Sequence, residues 1–105
     1  MKIQINSGHK ITVDAAMEET LNAELNSRLA HFADRITRVE LHLQDVDGVT
    51  RAGPRQILCR VEARLAGRQP DVVSAQAATV ESAVHDAAGK MQHLLDGIIA
   101  RAQGY

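Results

Sequence analysis

The chain predicts an α+β fold: a βαβββα two-layer sandwich, with a four-stranded mixed sheet and both helices on one of its faces. Three observations carry that reading. Four segments alternate apolar and polar residues, as half-buried strands do. Two longer segments repeat apolar residues every three or four positions, as helices with one buried stripe do. Their order is strand, helix, three strands, helix, so the helical stripes and the apolar strand faces satisfy each other only if both helices cover the same side.

The first strand is Lys2 to Asn6, with Ile3 and Ile5 on one side and Lys2, Gln4 and Asn6 on the other. "SGHK" breaks the alternation, and Asp14 can cap the helix that follows by accepting from its free N–H groups. Met17, Leu21, Leu25, Leu29 and Phe32 then form a stripe along a helix expected to end near Ala33. The acids at its start suit the positive end of the helix dipole. "RITRVELHLQD" is the second strand, with Val39, Leu41 and Leu43 inward and Arg38, Glu40, His42 and Gln44 outward.

"DVDGVTRAGPRQ" follows, and its Asp47-Gly48 and Gly53-Pro54 pairs predict a hairpin connection. In "QILCRVEARL" Ile57, Cys59, Val61, Ala63 and Leu65 point one way and Arg60, Glu62 and Arg64 the other. "AGRQP" turns the chain and "DVVSAQA" is the fourth strand. Thr79 can cap the last helix, whose face is Val80, Val84, Ala87, Ala88, Met91, Leu95 and Ile98, with Leu94 and Ile99 at its margins. Gly89 and Gly97 each weaken that helix by about 1 kcal/mol relative to alanine. Packing on the sheet has to offset the deficit.

A right-handed crossover lays the first strand parallel to the second, and the next two follow as hairpins. One sheet face then has no helix over it. It carries Lys2 and Gln4, then Arg38, Glu40 and His42, then Arg60, Glu62 and Arg64. Cross-strand Arg–Glu pairs are the plain explanation of such a face.

The totals narrow the function classes. The 105 residues suit one domain, 1–105, and the 45% hydrophobic and 24% charged fractions are those of an ordinary globule. No run of about 18 apolar residues is present, and "MKIQINSGHK" lacks a secretory apolar core, so the expectation is a cytoplasmic protein with no membrane partner. The single cysteine, Cys59, excludes an internal disulfide and reads as a buried thiol. His85 and His93 are two helical turns apart, and His9, His31 and His42 fall on separate elements, so no metal site is expected. "DVDGVTR" lacks the third acid and the terminal glutamate of a calcium loop. No nucleophile elbow, phosphate-cradling loop or dinucleotide fingerprint occurs; the chain predicts no enzyme, no cofactor and no small-molecule substrate.

Charge is unevenly spread beneath a net of -1. Residues 14 to 24 hold Asp14, Glu18, Glu19 and Glu24 with no lysine or arginine, whereas residues 35 to 68 hold seven arginines. With Phe32 and Tyr105 the only aromatics, any RNA contact should be to backbone and shape, not to stacked bases.

"RITRVELHLQDVDG", then "CRVEARLAGRQPDVV", then "TVESAVHDAAGKMQHLL" resemble, in that order, the short-form ribosome hibernation promoting factors and ribosome-associated inhibitors, once called sigma-54 modulation proteins. The likeness runs from "MKIQI" into the last helix. It implies a compact βαβββα domain that binds the small ribosomal subunit, touches its RNA phosphates with basic side chains, and blocks the channel of messenger and transfer RNA. It implies binding without catalysis. A chain of this length resembles the short form, without the C-terminal dimerisation domain that pairs ribosomes, and is expected to be a monomer or weak homodimer.

Lys90 matches the lysine of the family's "A-DKL" helix segment, and Arg28 falls among the basic positions of the first helix. Both sit on the flanks of their stripes, although Lys90, four residues after Asp86, can also form an intrahelical pair. Family members often continue with a dense basic run; here "QHLLDGIIARAQ" offers only Arg101 as a fixed cation. The departure shifts the expected contact toward the sheet. The expected RNA-binding residues are therefore Lys2, Arg28, Arg38, Arg60, Arg64, Lys90 and Arg101. The rival reading is a protein-interaction module that docks a partner, or its own copy, through the open sheet or an edge strand.

Overall fold

A computed structural model describes residues 1–8, 10–46 and 56–102. The expected hairpin connection, His9 and Tyr105 lie outside them. The element order is β1 (Lys2–Ser7), α1 (Ala15–Leu29), β2 (Ile36–Asp45), β3 (Ile57–Leu65), β4 (Asp71–Ala77) and α2 (Val80–Ala102). The strands form one sheet in the order β1-β2-β3-β4. β1 runs parallel to β2 and the other neighbours are antiparallel, as the connections require.

Both caps form. Asp14 Oδ1 accepts from Met17 N at 2.8 Å and Thr79 Oγ1 from Ser82 N at 3.1 Å, each satisfying a donor that the first helical turn leaves unpaired. The end of α1 departs from the sequence expectation of one helix to Ala33: the α-helix stops at Leu29 and a 3-10 turn covers Ala30–Phe32. Residues three apart eclipse in a 3-10 turn, so Phe32 lies in line with Leu29. Both side chains are buried.

The core lies between the helices and one sheet face. Leu21, Leu25 and Leu29 of α1, and Ala83, Val84, Ala87, Ala88, Met91 and Leu95 of α2, meet Val39, Leu41, Leu43, Ile57, Cys59, Val61 and Ala63 of the sheet. Met17, expected in the stripe, is only partly buried at its upper margin. The small residues Ala83, Ala87 and Ala88 let α2 approach the sheet closely. In β4, Val73, Ala75 and Ala77 turn to the core while Val72 stays half exposed on the open face.

Ile36 and Val39 are both buried, yet they are three residues apart, which a regular strand does not allow. The register explains it: Ile36 faces Leu65 and Arg38 faces Arg64, so β2 spends one extra residue, Thr37, in a bulge. Thr37 Oγ1 donates to the Arg64 carbonyl at 3.1 Å and ties the bulge down.

Gly89 sits beneath the Arg28 guanidinium, where an added Cβ would meet Nη1 at 3.7 Å, an ordinary contact. Gly89→Ala is therefore expected to raise unfolding stability by about 0.5–1 kcal/mol through helix propensity. Urea melts of the two proteins measure it.

Candidate nucleic-acid interface

The uncovered sheet face is banded. Lys2, Arg38 and Arg64 are neighbours across three strands and form a basic row. One step along, Gln4, Glu40 and Glu62 form an acidic row, and the next contains Asn6, His42 and Arg60. This corrects the expectation of cross-strand Arg–Glu pairs. Directly opposite residues carry like charges, Arg38 with Arg64 and Glu40 with Glu62, an arrangement that costs stability. Relief runs along the strand instead: Arg38 Nη2 pairs with Glu40 Oε2, and His42 Nε2 lies 3.3 Å from Glu40 Oε1. A basic row held against its own repulsion is one that an incoming phosphate would stabilise.

Three further arginines come from other segments and gather between the sheet and α2. Arg35 precedes β2, Arg68 sits in the β3–β4 turn, and Arg101 lies in the last turn of α2. The three line one groove of about 450 Å³ whose floor is Leu65, Ala66, Ile98 and Ile99. Antiparallel pairing makes the start of β2 the neighbour of the end of β3, and Ala66 N donates to the Arg35 carbonyl at 2.9 Å. Arg68 is held by both oxygens of Asp71, at 3.2 and 3.3 Å. The side chains of Lys2, Arg35, Arg64 and Arg101 make no ion pair with a described residue, so their charge is available to a partner.

The seven residues expected from sequence do not form one surface. Lys2, Arg38 and Arg64 share the basic row, with Arg101 at its end of the molecule. Arg60 lies beyond the acidic row and lines a separate hollow of about 830 Å³ with Lys10, His42 and Leu58. Arg28 and Lys90 are engaged elsewhere. The Arg28 guanidinium, half-buried between the helices, bonds Glu24 Oε2 at 3.2 Å, Gln92 Oε1 at 3.3 Å and His85 Nε2 at 2.9 Å. His85 Nδ1 meets the same Glu24 oxygen at 3.0 Å, closing the cluster. Lys90 Nζ donates to the Ser74 carbonyl at 2.8 Å, not to Asp86, and so covers a backbone acceptor on the edge strand β4. Arg35 and Arg68 were missing from the sequence set. Their signal was positional: each flanks a strand end, and hairpin pairing brings those two ends together.

The helical layer has the opposite balance. Asp14, Glu18, Glu19 and Glu24 face only Arg28 in α1 and its cap, and α2 sets Glu81, Asp86 and Asp96 against Lys90 and Arg101. The net charge of -1 thus hides an acidic helix layer and a basic sheet end.

Cys59 offers no chemistry. It is fully buried, and desolvation pushes its thiol up from 9.0 to about 12. The raised value favours the folded state fully below pH 9, and that contribution is lost as pH climbs from 9 toward 12. A thiol reagent at pH 8 is expected to label native Cys59 at least about a hundredfold more slowly than the urea-unfolded chain. Comparable rates would place the thiol at the surface. Among the described residues no three histidine, cysteine or acidic side chains are placed to hold a metal ion, and no helix is long and apolar enough to cross a membrane.

The described residues form an open-faced βαβββα sandwich whose uncovered sheet carries a basic row. The chain belongs to the Sigma 54 modulation protein / S30EA ribosomal protein family, whose model matches residues 3–101. This bears out the resemblance read from the sequence; the family is one of ribosome-associated factors. A ribosomal subunit interface protein from Coxiella burnetii has a similar structure, with a TM-score of 0.76 at 17% identity over 95% of this chain and 99% of that one. The N-terminal domain of Protein Y from Thermus thermophilus is similar with a TM-score of 0.73, also at 17% identity, over 93% and 99% of the two chains. At that identity both likenesses concern the fold. A sequence search of curated proteins finds no match.

Proposed function

We propose that this protein is a cytoplasmic translation inhibitor of the hibernation-factor kind, which binds small-subunit ribosomal RNA near the decoding channel and excludes messenger and transfer RNA. The observation that carries the reading is the basic end: the Lys2–Arg38–Arg64 row continued by Arg35, Arg68 and Arg101. Arginines spread over one end of the molecule suit phosphates fixed in a folded RNA. Scarce aromatics and an acidic helix layer disfavour the alternatives of base stacking and a helix-face contact. Lys2, Arg38, Arg64 and Arg101 are the principal contacts in this account, and Arg60 is an outlying one. Arg28 and Lys90 act mainly by holding α1, α2 and β4 together, so their contact with RNA requires those internal bonds to break. The action is steric and electrostatic, with no covalent step.

Competition tests the proposal. The protein is expected to pellet with vacant small subunits and to be displaced when they are first loaded with messenger and transfer RNA. Equal binding to vacant and loaded subunits would remove the blocking role.

A further inference from the structure

The arginine groove has an apolar floor, which an RNA backbone does not use. Leu65, Ile98 and Ile99 form that floor between Arg35 and Arg101, and neither arginine is paired with a described acid. A partner that fills the groove needs aliphatic surface flanked by carboxylates. The chain carries such a surface itself. On the outer side of α1 a shallow trough of about 410 Å³ is lined by Glu19, Thr20, Ala23, Glu24 and Ser27. Ala23 and the Thr20 methyl group give it an apolar strip, Glu19 is exposed and has no described partner, and Glu24, which also meets Arg28 and His85, adds charge at its margin.

We propose that a second copy of this chain docks head to tail, its α1 trough meeting the Arg35–Arg101 groove of the first. The arginine stems lie along Ala23 and Thr20 while their guanidinium groups meet Glu19 and Glu24. Exposed ion pairs alone hold copies weakly, so desolvation of the apolar floor supplies part of the affinity. The interface is heterologous: each docked pair leaves one groove and one trough free, and assembly continues beyond the dimer as concentration rises. It also hides two arginines that the proposed RNA contact uses, so small subunits and self-association compete. That last clause rests on the functional reading above; the docking does not.

Sedimentation velocity of the full chain without RNA tests the docking. At low salt the average sedimentation coefficient is expected to rise with concentration, and about 0.5 M salt returns it to the monomer value. Two proteins with the charge of one surface reversed, Glu19→Lys/Ser27→Lys and Arg35→Glu/Arg101→Glu, should each associate at least about tenfold more weakly. Mixing them restores association, because the reversed trough then matches the reversed groove, and the recovery also shows that both variants fold. A wild-type protein that stays monomeric at low salt, or a mixture that does not recover, overturns the proposal. Adding small subunits to the wild type separates the two readings: dissolution of the assemblies supports shared arginines, and assemblies that persist overturn that sharing while the docking stands.

Discussion

Arg38→Glu/Arg64→Glu is expected to lower small-subunit affinity by about ten- to a hundredfold at low salt, and to flatten the slope of log K against log salt by about 2. The reasoning starts from the register. The two arginines stand directly opposite each other on the central strands, with Lys2 across from Arg38. Reversing both turns the centre of the basic row into a continuation of the Glu40–Glu62 row, so two phosphate contacts are lost and two repulsions are added. The fold should tolerate the change, because both side chains are exposed and like-charge opposition is already present there. Arg28→Met and Lys90→Met are the informative comparison. Their cations are committed to Glu24, Gln92, His85 and the Ser74 carbonyl, so affinity should stay within about threefold of wild type while stability falls by about 1 kcal/mol. Isothermal titration at three salt concentrations, with urea melts of the same proteins, measures both quantities. The account of the site fails if the helix variants lose more affinity than the sheet variant.

Phe32→Ala should remove about 3–5 kcal/mol of folding stability, the largest single-residue effect expected on the fold. Phe32 is among the largest fully buried side chains, and it closes the core below the last turn of α1. It ends the 3-10 turn that follows α1, and its ring meets His31 edge-on with centroids 5.3 Å apart. Removing the ring leaves a cavity in a close-packed core, which cannot close without moving secondary structure. A loss of that size is a large share of the stability typical of a domain this small. Urea denaturation followed by circular dichroism measures it, and a loss below about 1.5 kcal/mol would mean that the site collapses around the gap.

Local periodicity made the architecture legible. Leu21, Leu25, Leu29 and Phe32 on one helix, and Val39, Leu41 and Leu43 facing Cys59, Val61 and Ala63 across two strands, place the core without knowledge of any long-range contact. The strand order followed from connection rules applied to those faces. The bulge at Thr37 is legible in principle, because Ile36 and Val39 cannot share a face otherwise. The site was less accessible, since it depends on register. Whether Arg38 opposes Glu62 or Arg64 is a two-residue slip of β2 along β3, which keeps the same faces inward and which apolar alternation therefore does not decide. The fates of Arg28 and Lys90 depend on how α2 lies over α1 and beside β4, which helical angles alone do not supply. Arg35 opens the second strand segment and Arg68 sits in the turn after the third, at ends where alternation does not place a side chain, and the fold joins them to Arg101 across 66 and 33 residues of chain.

The central claim is that the basic sheet end binds the small ribosomal subunit by neutralising phosphates. The most direct measurement is the affinity of the unmodified protein for purified small subunits over a salt series. Contacts from Lys2, Arg35, Arg38, Arg64 and Arg101 predict saturable binding at low salt with a log–log slope of about -4. Binding that is absent at the lowest salt, or that is present with a slope near zero, would contradict it.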